Sequence, residues 1–258
     1  MNTISKSLLS DIIKLRQKKY RDLQQRYIIS GLNAVQTALQ ADDCRVHSLL
    51  VQQGRQELLR VLNIKKEKPV YQLSENDFRK ISEENSPQGI AVVLERPLNL
   101  IEDFHTHKGS VLYLENINDP GNLGTIIRSA LWFGSDSILL SPGSVDPYQP
   151  KVVRASAGLV THTKLYENVT SAELSKLKLE RGFQIAGTVV LDGQPVEKYK
   201  VSDSVPLVLA FGSEAHGLSE EIQEICDHKI TITKKGTGES LNLGISAALC
   251  LFSLNQVK

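Results

Sequence analysis

Between Tyr27 and Glu95, short apolar runs alternate with stretches whose apolar residues return every three or four positions. The runs Tyr27–Ser30, Ser48–Gln53, Val70–Leu73 and Gly89–Glu95 predict strands, and the longer period predicts helices over Asn33–Gln40, Gln56–Leu62 and Glu75–Ile81. Ser74 is placed to cap the last of these, because its hydroxyl can accept a backbone N–H that the first helical turn leaves unused. Such alternation folds into a mainly parallel or mixed sheet covered by helices. Pro97 cannot donate to a strand ladder and breaks the pattern, which puts a linker at roughly residues 96–106.

The pattern then restarts. Val111–Glu115 reads as a buried strand, Asn116–Asn122 as a polar turn, and Leu123–Phe133 as a helix ended by Gly134, where a left-handed cap fits. Further strands are predicted at Ser137–Leu140, Gln184–Val189, Leu207–Phe211 and Lys229–Thr233, with helices at Pro150–Val160, Ser171–Glu180, Ser219–Ile225 and Leu241–Leu254. The last helix is apolar nearly all round, the mark of one buried on more than one side. The expectation is an α/β protein with a smaller first domain over residues 1–98 and a larger one over 106–258.

Composition changes this picture little. The 258 residues are 41% hydrophobic and 23% charged, as in an ordinary globular chain, and no apolar run spans a bilayer. The first residues lack the order of a signal peptide. Three scattered cysteines, Cys44, Cys226 and Cys250, carry no metal-ligand spacing, so a reduced cytoplasmic protein without a metal is expected. His105 and His107 read as a surface pair in the linker. Net charge is only +1, yet residues 1–30 hold seven basic side chains against two acidic ones. That asymmetry fits either a basic arm on phosphates or a solvated helix face.

Ligands of open α/β sheets bind outside the carboxyl ends of strands. Three strand ends here carry unusual turns: Asn118–Gly124 with Arg128 beyond it, Phe211–Leu218, and Thr233–Asn242. Each combines glycines with converging polar groups, and each alone is weak. Asn122 can be a cap, and Arg128, in an apolar stretch, fits a snorkelling or ion-paired residue better than a catalyst. The phosphate-loop pattern and the Gly-x-Gly-x-x-Gly fingerprint are both missing, which disfavours nucleotide hydrolysis and the usual dinucleotide site. No histidine set has metal-binding spacing.

Taken together and in order, the turns are specific. Asn-Leu-Gly-x-x-x-Arg-Ser-Ala (122–130), Phe-Gly-Ser-Glu-x-x-Gly-Leu-Ser (211–219) and Gly-x-x-Glu-Ser-Leu-Asn-Leu-x-x-Ser-Ala-Ala (236–248) resemble the three signature motifs of the SpoU (TrmH) family of S-adenosylmethionine-dependent RNA ribose methyltransferases. Arg154–Gly158 also fits the family. More loosely, Tyr20-Arg21, Tyr27–Gly31 and Ser86–Ile90 are similar to its RNA-binding extension. One departure stands out: Thr233-Lys234 occupies the place of the family's usual Pro-Met, which makes the wall of the cofactor pocket more polar.

The resemblance implies a SPOUT domain whose parallel sheet closes a C-terminal trefoil knot, preceded by the smaller substrate-binding domain. It implies S-adenosylmethionine as the cofactor, contacted at Thr188, Gly212, Ile232 and Leu241. It implies a catalytic set of Arg128, Asn122, Glu214, Ser240 and Asn242, with RNA held by Lys18, Arg21 and Arg154 and possible help from Lys151. Ser240 is read equally as the cap of the last helix. Family members act as homodimers, to which Trp132, Phe133, Pro147 and Tyr148 could contribute, and ribosomal RNA is expected ahead of transfer RNA. Arg128 is either the proton acceptor or a cationic clamp on the developing alkoxide. Because a guanidinium holds its proton across the pH range of proteins, the clamp is favoured. Two rival readings stay open: a knotted RNA-binding protein without activity, and a methyltransferase acting on a base.

Overall fold

A computed structural model of the chain describes residues 1–62, 68–82, 84, 86–104, 110–200 and 205–255. His105 and His107 lie outside them. The chain divides into two compact units, Met1–Leu98 with Asp146–His162, and Asn99–Val145 with Thr163–Lys258.

The first unit opens with β1 (Asn2–Thr3), α1 (Lys6–Lys14) and α2 (Lys18–Gln24). It continues through β2 (Arg26–Ser30), α3 (Leu32–Gln40), β3 (Val46–Gln52), a 3-10 turn at Gln56–Val61, β4 (Val70–Leu73), α4 (Glu75–Ile81) and β5 (Ile90–Glu95). Its five strands stand in the order β1-β4-β3-β5-β2, with β1, β4 and β3 parallel and β5 antiparallel to both its neighbours. The mixed sheet matches the expectation. Ser74 does cap α4, its hydroxyl accepting the Asp77 N–H at 3.2 Å.

The first thirty residues are not an extended arm. Ser5 caps α1, and Ile12, Leu15, Phe78 and Ile81 bury together on the sheet. Apolar spacing at Leu8, Ile12 and Leu15 outweighs the surrounding charge, because a helix can bury that stripe while its lysines stay wet. Lys6, Lys18 and Lys19 are exposed accordingly.

The second unit begins with β6 (Val111–Leu114), α5 (Pro120–Trp132) and β7 (Ser137–Leu140). The chain then returns to the first unit for α6 (Pro150–Ala155) and a 3-10 turn at Leu159–His162. The helix expected over Pro150–Val160 stops early because Ala157 and Gly158 take positive φ of 53° and 83°. Only a glycine fits at 158: a Cβ there would lie 2.4 Å from the Ala34 carbonyl oxygen of α3. Back in the second unit follow β8 (Lys164–Tyr166), α7 (Ser171–Arg181), β9 (Gln184–Thr188), β10 (Gln194–Pro195), β11 (Leu207–Phe211), α8 (Glu220–Ile225), β12 (His228–Thr231) and α9 (Leu243–Asn255).

These strands form one parallel sheet in the order β10-β12-β9-β11-β6-β7-β8. β6 and β11 are buried at every position, as strands covered on both faces must be. One core joins Tyr113, Leu139, Ile185 and Val208 to Leu174 and Leu177 of α7 and Ile222 of α8. Within this unit α9 packs against α5. Its burial is one-sided: Leu243, Ala247, Cys250, Leu251 and Leu254 are covered, whereas Ile245, Leu249 and Phe252 are exposed. Among the described residues no helix is long and apolar enough to cross a membrane.

Candidate active site

Parallel strands finish on one edge of their sheet, so the loops after β6, β9, β11 and β12 leave from neighbouring positions. After β6, Asp119 caps α5, its Oδ1 accepting the N–H groups of Gly121 at 2.6 Å and Asn122 at 3.0 Å. Pro120 takes the first helical position, where its missing N–H would have no intrahelical partner anyway. This cap holds Asn122 in the first turn, with its side chain largely buried.

Asn122 joins all three turns. Its Nδ2 donates to Glu214 Oε1 at 2.7 Å, and its Oδ1 accepts from Asn242 Nδ2 at 2.8 Å. Asn242 Oδ1 accepts the backbone N–H of Ile245 at 3.2 Å, so Asn242, not Ser240, caps α9. Ser240 lies two residues before the cap and is exposed. The donors all run one way, from the start of α9 to the Glu214 carboxylate. Each bond in such a chain polarises the next, and the last is strengthened by the anion.

Glu214 rides on a tight turn closed by reciprocal backbone bonds between Ser213 and Gly217, at 3.1 and 2.9 Å. A Cβ at Gly212 would lie 1.9 Å from the Gly217 carbonyl carbon. The chain's own return therefore demands this glycine, whatever else binds there. Glu115, at the end of β6, accepts the Ser219 N–H at 2.7 Å and ties the turn to its neighbour strand. Sequence reasoning passed over both Asp119 and Glu115. The Asp-Pro-Gly order was a legible cap signal, whereas the Glu115 contact spans 104 positions and has no local sign.

Of the five residues expected to act, the structure joins Asn122, Glu214 and Asn242. Arg128 is six residues along α5 from Asn122, about 9 Å by helix rise. It is exposed and forms no ion pair or hydrogen bond with a described residue, so the ion-paired reading is not what is seen.

The cofactor candidates border the same edge. Thr188 ends β9, and its hydroxyl donates to the Ala210 carbonyl at 3.0 Å. Ile232 is half-buried and Leu241 half-exposed, at the two ends of a loop whose residues 233–242 are exposed. A loop of exposed peptide groups flanked by two apolar side chains fits a group held by backbone bonds with an apolar face. Thr233 and Lys234 both make hydrogen bonds to the protein itself. Thr233 Oγ1 donates to Glu197 Oε1 at 3.0 Å, and Lys234 Nζ donates to the Gly238 carbonyl. The Glu197 carboxyl is held below its ordinary value by its own backbone N–H and then by the Thr233 hydroxyl.

The RNA candidates all belong to the first unit. Lys18 and Arg154 are exposed. Arg21 is not available: it is buried, with Nε and Nη2 on Asp146 Oδ2 and Nη1 on the carbonyls of Leu15 and Arg16. A guanidinium with four donors committed in the interior cannot also hold a phosphate. Pro147 and Tyr148 are likewise buried, Tyr148 against Tyr27 with ring centroids 4.8 Å apart, which removes them from any subunit interface. Among the described residues no group of three or more His, Cys, Asp or Glu could hold a metal ion.

The chain belongs to the SpoU rRNA methylase family, whose profile matches residues 109–252. Residues 7–92 match the MRM3-like substrate binding domain. The 23S rRNA (guanosine(2553)-2′-O)-methyltransferase RlmP of Bacillus subtilis is 30% identical over 246 residues, covering 95% of each chain. The 23S rRNA (guanosine-2′-O-)-methyltransferase RlmB of Shewanella oneidensis is 26% identical, over 89% of this chain and 97% of its own. Among solved structures, an AdoMet-bound rRNA methyltransferase from Sinorhizobium meliloti superposes with a TM-score of 0.85 at 26% identity, over 99% and 97% of the two chains.

Proposed function

We propose that this protein transfers the methyl group of S-adenosylmethionine to a ribose 2′-hydroxyl of ribosomal RNA in the cytoplasm. The observation that carries the reading is the Asn242–Asn122–Glu214 chain, which draws the three motif loops together at the start of α5, the helix that carries Arg128. The cofactor supplies a methyl already activated on a sulfonium. The protein must therefore align a hydroxyl with it, which is worth about 7–11 kcal/mol in favourable cases, and stabilise the oxygen as its proton leaves. Arg128 does the second as a cation, on the developing alkoxide and the neighbouring phosphate. Asn122 and Asn242 hold Glu214 and the start of α9 in place. Backbone groups of residues 232–241, with Ile232 and Leu241, hold the cofactor, and Lys18 and Arg154 hold RNA phosphates.

The protein works as a homodimer in this reading. Trp132 is 84% exposed, and Ile245, Leu249 and Phe252 present an apolar face on α9 beside it in sequence-distant α5, with Phe133 and Phe252 in ring contact. A face of that kind marks an interaction surface. The trefoil knot belongs to the same proposal.

The test is methylation of ribosomal RNA with labelled cofactor, followed by nuclease digestion and mass spectrometry. Methyl on a ribose blocks cleavage at the modified linkage, whereas methyl on a base leaves it open. Mapping the 2′-O-methyl sites lost in a deletion strain then identifies the nucleotide.

A further inference from the structure

The loop after β12 runs from Ile232 to Asn242 with no regular structure, contains Gly236 and Gly238, and is exposed from Thr233 onward. A chain segment of this composition samples many conformations, because glycines restrict the backbone least. Two side chains nevertheless fix its course. Thr233 donates outward to Glu197 at 3.0 Å. Glu197 lies on the 3-10 turn Val196–Lys198, which is anchored by buried Val196, by the pairing of β10 with β12, and by packing against α9. Lys234 donates inward to the carbonyl of Gly238, closing the loop on itself. Gly238 takes a φ of 123°, open in practice only to glycine, and this conformation directs its carbonyl.

We propose that Thr233 and Lys234 are positioning residues, which hold the 232–242 loop in its cofactor-binding course before the cofactor arrives. The inference rests on the reading that this loop binds S-adenosylmethionine, and it assigns the two side chains no contact with the cofactor. Pre-organised loops bind more tightly because less ordering remains to be done on binding. Each tether is a single solvent-exposed hydrogen bond, so its loss lowers affinity by a modest factor, roughly three- to tenfold. Glu197 is the anchor for Thr233, and the depressed carboxyl described above reports the same contact from the other side.

The experiment is calorimetric titration of the full-length protein with S-adenosylmethionine, paired with limited trypsin digestion of the free protein at Lys234 and Lys235. Thr233→Val is expected to weaken binding about three- to tenfold and to speed cleavage after these lysines. Thr233→Ser, which keeps the hydroxyl, is expected to behave as the native chain, and Glu197→Leu as Thr233→Val. Lys234→Met should weaken binding in the same direction, with cleavage read at Lys235. The KM for RNA should not move. Native binding and native cleavage in Thr233→Val would overturn the tether and leave the cofactor assignment intact. No binding by the native protein would overturn the cofactor assignment itself.

Discussion

Arg21 donates from Nε and Nη2 to a single oxygen of Asp146, at 2.9 and 2.5 Å, across 125 positions of sequence. Both side chains are almost fully buried. The pair fastens the start of the 146–162 segment to the first unit, and the fastening is repeated further on: His162 meets the Thr37 carbonyl at 2.8 Å. Asp146 also accepts the Tyr148 N–H at 2.8 Å, so its second oxygen is occupied too. Removing one member of a buried pair strands the other charge. Arg21→Ala is expected to cost about 3–5 kcal/mol of unfolding free energy in urea titration, and Arg21→Met with Asp146→Leu much less. A cost under about 1 kcal/mol for Arg21→Ala would show that the carboxylate finds water instead.

Arg128 is exposed and makes no hydrogen bond or ion pair with a described residue, so the fold of those residues does not depend on it. Arg128→Ala should leave the melting temperature and cofactor affinity nearly unchanged while lowering kcat by about 10²–10³, the usual effect of losing one donor to a developing oxyanion. Single-turnover kinetics with saturating RNA measures this. Normal turnover in that variant refutes the clamp.

Asn122 serves two partners, and its loss removes one hydrogen bond from each. Asn122→Ala should cost about 1–3 kcal/mol of stability and most of the activity. Asn242→Ala removes the α9 cap and should cost about 1 kcal/mol. The double variant should cost less than the sum, because the two residues share one hydrogen bond. Denaturant titration of the three proteins yields the coupling.

The exposed face of α9 and Trp132 should mediate self-association. Phe252→Asp with Trp132→Asp is expected to convert a dimer to a monomer in light scattering. A native protein that is already monomeric at micromolar concentration removes the dimer from the proposal.

Burial pushes the Cys226 thiol up to about 11 and the Cys250 thiol up to about 12. Both should resist alkylation at pH 8 in the folded protein. The unfolded chain ionises these thiols near pH 8.5, so stability present below that pH falls as pH rises toward 11–12, about where the folded groups ionise. Melting temperatures measured from pH 8 to 11 should decline accordingly.

Most strands and helices were legible because their periods are local. Ser74, the Gly134 turn and the β11 run declare themselves within a few residues. α1 was hidden by charge, since lysines flank its apolar stripe without altering its burial. The spacing predicts a helix over Pro150–Val160, but Ala157 and Gly158 turn the chain at positive φ where Gly158 passes close to Ala34, far away in sequence. Arg21 looked like a phosphate ligand for the same reason: nothing near it announces Asp146.

Residue order along the chain is enough to identify the family, the cofactor class and the three motif loops, because each motif is contiguous and its chemistry is carried by residue type. Tertiary structure alone decided which of those residues meet. It joined Asn122 to Glu214 and Asn242 and turned Arg21 from a surface cation into a buried partner. Such outcomes depend on distances between residues some 90 to 125 positions apart, and spacing along a chain carries no information about those.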